Sequence, residues 1–162
     1  MSVSSSSVPN AVSRLNPSPV SVADIPSNQV GTIGEGLHEE ALEAVGANFA
    51  TRAPITVRLR SGEVFDVVPD FLRVVEIDEA SGLARLDIDE IKTSRLSQPD
   101  IGRLTDNQAV LLDALLNGDI AEITAGRRLQ EFLLDLEEIA ELDEPIVGFT
   151  IRNFNLQSFQ LF

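Results

Sequence analysis

The chain of 162 residues has no cysteine, no tryptophan, no tyrosine, one histidine and one lysine. Without cysteine there is no disulfide, no thiolate metal site and no cysteine nucleophile. With a single histidine, a Ser–His–Asp triad or a histidine zinc site would have to be built around His38. The sequence HEEAL at 38–42 lacks the second histidine of HExxH, so His38 reads as a surface residue on the glutamate-rich side of a short helix. A carboxylate-pair glycosidase would need aromatic sugar platforms, which are scarce when Phe is the only aromatic side chain besides His. Long apolar runs are missing as well, none approaching the roughly 20 residues that span a bilayer. The opening MSVSSSSVPNAVSR has neither the early positive charge nor the apolar stretch of a secretory signal, so a soluble protein is expected.

Positive charge is also scarce. Twelve Lys+Arg stand against 26 Asp+Glu, a net charge of -14. Such a chain is repelled by phosphate backbones and anionic membranes, so neither nucleic acid nor membrane is expected as a direct partner. What is present suits a folded domain: 43% hydrophobic and 23% charged residues, in a length sufficient for one core plus an appendage.

Composition divides the chain into three parts. Residues 1–30 hold nine Ser and four Pro, with only Arg14 and Asp24 charged. The prolines favour extended backbone, and Val8, Val12, Leu15, Val20, Val22 and Ile25 are too scattered for a core but able to dock singly. This reads as an extended arm. The body, 31–144, opens with GTIGEG, a hinge, and a short helix whose apolar face is Leu37, Ala41, Val45 and Phe49. Pro54 then introduces strands. Ile55, Val57 and Leu59 alternate with polar residues, Ser61-Gly62 turns into Val64–Val68, and Pro69-Asp70 precedes Phe71–Ile77. DEASG at 78–82 reverses the chain into Leu83–Ile88, and 90–96 offers a fifth strand. This predicts a small antiparallel β-meander, resembling an SH3-like or Sm-like barrel, within an α+β fold. Helices follow at about 105–117, opened by the capping box Thr105–Gln108 with Val110, Leu111, Ala114 and Leu115 inward, and at about 124–142.

The final segment, 145–162, contains no acid and four of the eight Phe. Phe149, Ile151, Phe154, Leu156, Phe159 and Leu161 form an F-x-(I/L) unit every five residues, ending in Phe162. A strand keeping one period-2 register would not produce that spacing, so bulges or bends are expected near 152–153 and 157–158. The segment is either an edge strand of the domain's own sheet or a tail that pairs with another chain.

Elsewhere the chemistry is thin. GTIGEG has no preceding strand and no following Lys-Ser/Thr to cradle a phosphate. Asp87 and Asp89 share a strand face and could hold a divalent cation, but the EF-hand order is absent. Neither catalytic residues, a cofactor nor a metal is assigned. Two peculiar ends on an acidic body resemble accessory structural proteins of tailed-phage virions: capsid cement, neck adaptor or baseplate components. That resemblance, one of overall profile, implies a non-enzymatic protein of the virion, or otherwise the cytoplasm. It would staple neighbouring subunits, the major capsid protein or copies of itself, in a symmetric assembly. Its contacts would be the scattered apolar residues of the arm and those of the Phe-rich end. The alternatives are an acidic inhibitor or DNA mimic that occupies a basic enzyme site, and a hydrolase using Asp87/Asp89 with a metal.

Overall fold

The computed structural model describes residues 12–14, 18–20, 30–95 and 104–161, with side chains over 31–93 and 104–159. The elements run β1 (Val12–Arg14), β2 (Ser18–Val20), α1 (Val30–Ala44), β3 (Phe49–Thr51), β4 (Ile55–Leu59), β5 (Val64–Val67), β6 (Phe71–Asp78) and β7 (Leu83–Arg95). They continue with α2 (Asp106–Leu116), β8 (Ala121–Ala125), α3 (Arg127–Ala140) and β9 (Gly148–Leu161). The class is α+β with one mixed sheet, ordered β3-β6-β7-β9-β8-β4-β5, while β1 and β2 pair with β9.

Local chemistry explains the elements that the sequence announces. In β4, Ile55, Val57 and Leu59 are all buried and Arg58 is exposed. The Thr105 hydroxyl accepts the Gln108 N–H while the Gln108 amide oxygen accepts the Thr105 N–H, so α2 opens on a complete capping box. The turn into β7 needs Gly82. Its φ is +69°, its N–H donates to the Asp78 carbonyl, and a Cβ there would lie 2.9 Å from the Val147 side chain.

The order of strands is not that of a meander. β5 and β6 are consecutive in sequence yet do not pair; β6 lies between β3 and β7, and β5 ends the path beside β4. The segment 90–96 is no separate strand either, since β7 runs unbroken from Leu83 to Arg95. The missing ingredient is β9, which enters the middle of the sheet. It runs parallel to β7 from Leu83↔Gly148 to Arg95↔Leu161, and antiparallel to β8 on its other side. The C-terminal segment is therefore a central strand of the body, not an edge or a separate tail.

This order makes the sheet curl. Five strand spacings separate β5 from β6, and five separate β3 from β4; laid flat, each gap would be about 24 Å. Yet Val67 connects to Phe71, and Thr51 to Ile55, through three residues each, which reach at most about 14 Å. Both ends of the path must bend toward each other, and the Arg52 N–H bonds the Asp70 carbonyl at 3.0 Å where they meet. The concave side encloses the main core: Ile55, Val57, Leu72, Leu86, Ile88, Phe149, Ile151 and Phe154 from the sheet, with Leu111 and Leu115 of α2 and Leu129 and Leu136 of α3.

α1 lies elsewhere, over β7, with Leu42, Phe71 and Ile91 forming a smaller apolar cluster. Its inward line is Gly34 and Leu42, buried, with His38 half-buried between them, each four residues apart, whereas Ala41 and Val45 are exposed and Phe49 belongs to β3. The expected face is thus rotated. Gly34 causes the rotation, because a Cβ there would sit 2.0 Å from Thr93 Oγ1. Only a bare Cα lets the helix settle on the strand. GTIGEG is accordingly helix and not hinge. The second predicted helix also starts late, because Ala121–Ala125 forms β8 before α3 begins at Arg127.

Candidate functional site

Strand alternation turns Asp87, Asp89, Ile91 and Thr93 of β7 toward α1. Asp87 and Asp89 are each 2% exposed. Burial at that level is tolerable only if every oxygen finds a donor. Arg73 of β6 reaches Asp89 with Nε at 2.9 Å and Nη2 at 3.0 Å, and Asp87 at 3.4 Å. Arg152 grips Asp87 with Nε at 3.0 Å and Nη2 at 3.1 Å. Asn155 donates to both carboxylates at 3.0 Å. From above, His38 Nε2 meets Asp89 Oδ2 at 2.9 Å, its ring edge-on to Phe71 at 4.9 Å.

A bulge makes this possible. Leu86 pairs with Ile151 and Asp87 with Asn153, so Arg152 is an extra residue of β9. The expected register shift at 152–153 is there, and it delivers a guanidinium to Asp87. The second expected shift is not. From Asp87↔Asn153 to Arg95↔Leu161 the register is continuous, so Phe154 and Phe159 fall on opposite faces of β9, in the main core and beneath α1 respectively.

The two carboxylates and two guanidiniums balance in charge. Burial pushes the Asp89 carboxyl up, but the bonds from His38, Arg73 and Asn155 outweigh it and hold it at about 2. The hydrogen bond to Asp89 in turn raises the Arg73 guanidinium above its ordinary value. With all four carboxylate oxygens accepting N–H groups, the pair that could have held a cation is committed to protein donors. His38 is corrected as well: its side chain is 14% exposed and joins α1 to the sheet. The i, i+4, i+8 series Gly34–His38–Leu42 was the available signal, and the apolar series Leu37–Ala41–Val45 masked it.

The next residue along β7 faces the other way. Glu90, 4% exposed, lies 3.4 Å from Lys92 Nζ and accepts the Asp70 N–H at 3.4 Å. Burial, then the charge of Asp70, push the Glu90 carboxyl up to about 7 against the opposing pull of Lys92. The folded chain holds this proton more tightly than the unfolded one, whose ordinary value is 4.5. Glu90 therefore favours folding below pH 4.5, and that contribution disappears as pH rises to 7. Glu90→Gln is expected to raise stability at pH 8 by about 3 kcal/mol and to leave it nearly unchanged at pH 4. Urea unfolding of both proteins at the two pH values measures this. An equal change at both would place the effect elsewhere.

The predicted contact residues divide sharply. Phe149, Ile151, Phe154 and Leu156 are buried inside the protomer, Phe154 completely, so they are not free to meet another subunit. The reason is topological: β9 has a neighbour on both sides, and one of its faces lines the core. Phe159 packs with the cluster under α1. Leu161 is described through its backbone, paired with Val20 and Arg95. Phe162, Val8, Leu15, Val22 and Ile25 lie outside the described residues.

Val12 and Val20 mark where the arm runs. β8 accompanies β9 only along Phe149–Ile151. Beyond it the same edge is taken by β1, with Val12↔Phe154 to Arg14↔Leu156, and then by β2, with Ser18↔Phe159 to Val20↔Leu161. Both are parallel and three residues long. Pairings so short add few hydrogen bonds, whose net worth is of the same order as the entropy lost in ordering the strands.

No protein-family model, curated protein or solved structure matches the chain. Among the described residues, no helix is long and apolar enough to cross a membrane.

Proposed function

We propose that the chain is a non-enzymatic structural subunit that joins its neighbours through the N-terminal arm, as the resemblance to accessory virion proteins implies. The observation carrying this reading is the mode of arm docking: two short parallel strands laid on the edge of β9 through main-chain pairing. Main-chain pairing does not depend on which molecule supplies the strand, and proteins use it widely to capture extended segments. The side chains of Phe149, Ile151, Phe154 and Leu156 are not the staples, because they are buried in the protomer; the backbone edge of β9 is what receives the arm. The buried polar cluster supports the same reading. Asp87, Asp89, Arg73, Arg152 and His38 are bonded to one another across α1, β6, β7 and β9, as in a clamp that stiffens a scaffold.

Light scattering across a concentration series tests the proposal. The full chain is expected to self-associate with rising concentration, and an excess of a peptide covering residues 8–26 to reverse that association. A full chain that associates equally with and without the peptide would overturn it.

A further inference from the structure

We propose that the edge of β9 from Phe154 to Leu161 is an exchangeable acceptor, filled in the assembly by Val12–Arg14 and Ser18–Val20 of a second copy of this chain. This deepens the assembly reading and rests on it.

The first support is an asymmetry between the edges of β9. On one side β7 pairs along the whole length, to Arg95↔Leu161. On the other, β8 is paired only as far as Ile151. Among the described residues, the rest of that edge is covered by strands from the opposite end of the chain. Left bare, it would be an unpaired row of N–H and C=O groups beside Phe154, Leu156 and Phe159, the kind of edge that recruits another strand. Something must cover it, and the chain's own register shows that residues 12–20 fit.

The second support is reach. Nine residues separate Val20 from Val30, where α1 begins. Extended, that stretch spans about 35 Å, comparable to a small domain's diameter. An arm so attached can lie on its own β9 or on a neighbour's with identical contacts, which is the condition for strand exchange.

The third support is charge. Copies carrying -14 each repel one another over most of their surface, but residues 1–30 hold one cation and one anion, and 145–162 holds no acid. Arm and acceptor are the two segments that can meet without like-charge opposition.

The absence of cysteine makes the test direct. Pro19 and Gln160 are register partners. Pro19→Cys on one tagged copy and Gln160→Cys on a differently tagged copy can form a disulfide only between molecules. Mixed and oxidised, these full-length variants are expected to give a heterodimer on non-reducing gels in at least about tenfold higher yield than Pro19→Cys with Ser61→Cys, which is out of register. A peptide covering residues 8–26 should suppress the band. Far-UV circular dichroism on each variant confirms that it is folded, and Ser13→Cys with Gln157→Cys, two positions out of register, serves as a second negative pair. No excess over the out-of-register pairs, while the full chain still self-associates, would overturn the exchange and leave the assembly reading standing. A chain that is monomeric at every concentration would overturn both.

Discussion

Phe154→Asp is expected to leave a chain that does not fold, with far-UV circular dichroism and amide proton dispersion both collapsing. Phe154 has no exposed surface and packs in the main core, on the strand flanked by β7 and β8. Losing a buried phenyl ring alone costs about 3–5 kcal/mol. Placing a carboxylate there adds its desolvation, bringing the total above about 5 kcal/mol, the lower end of ordinary domain stability. The outcome separates two views of the C-terminal segment. A staple that seeks another subunit would tolerate the aspartate as a soluble, folded monomer deficient only in assembly. Such a monomer would contradict the central placement of β9.

Asp89→Ala is expected to destabilise the fold by about 3–5 kcal/mol in urea unfolding at pH 7, because His38 loses its buried partner and Arg73 is left with its longer 3.4 Å contact to Asp87. Asn155 would keep Asp87, so the loss should concentrate where α1 meets the sheet. The effect has a defined pH range. Asp89 is held at about 2 in the fold against an ordinary 3.8. Its stabilisation is present above pH 3.8 and is lost as pH falls through 2, a change of about 2 kcal/mol. The gap between wild type and variant should narrow by that amount over the same range. A gap that is constant with pH would mean that the carboxylate's charge contributes nothing. Adjacent residues of β7 thus oppose each other: Asp89 weakens the fold when acidified, Glu90 when made alkaline. Between pH 3.8 and 4.5 both contributions stand, which places the stability maximum there for these two groups.

How far the residues announced this architecture depends on the distance over which each signal acts. Alternation in 55–59, the Thr105–Gln108 box and the shared face of Asp87 and Asp89 are local, and the structure contains all three. So is the slip in register at 152, because F-x-I followed by N-F cannot lie in one unbroken alternation. The path of the sheet is another matter. β9 pairs with β7 across 65 positions before the bulge and 66 after it, and nothing in either strand's period names the other. The meander was the natural expectation from adjacency alone, and inserting one remote strand displaced it. β8 escaped notice because five residues, Ala121–Ala125, stand directly against a helix and carry two small alanines in place of β-branched bulk. His38 was misplaced because its partner lies 51 positions away, on a strand whose carboxylates suggested solvent or a cation.

The position of β9 bears on how the molecule comes into being. Synthesis proceeds from the amino end, so a growing polypeptide that has not yet passed Gly148 possesses β7 and β8 but lacks the strand that joins them. Its hydrophobic interior has no floor, and no order of local events can supply one. Closure must await the final turn of the ribosome's work on this stretch, after which one long zipper completes both flanks together. Until that moment the apolar faces that β9 will cover stand open to solvent.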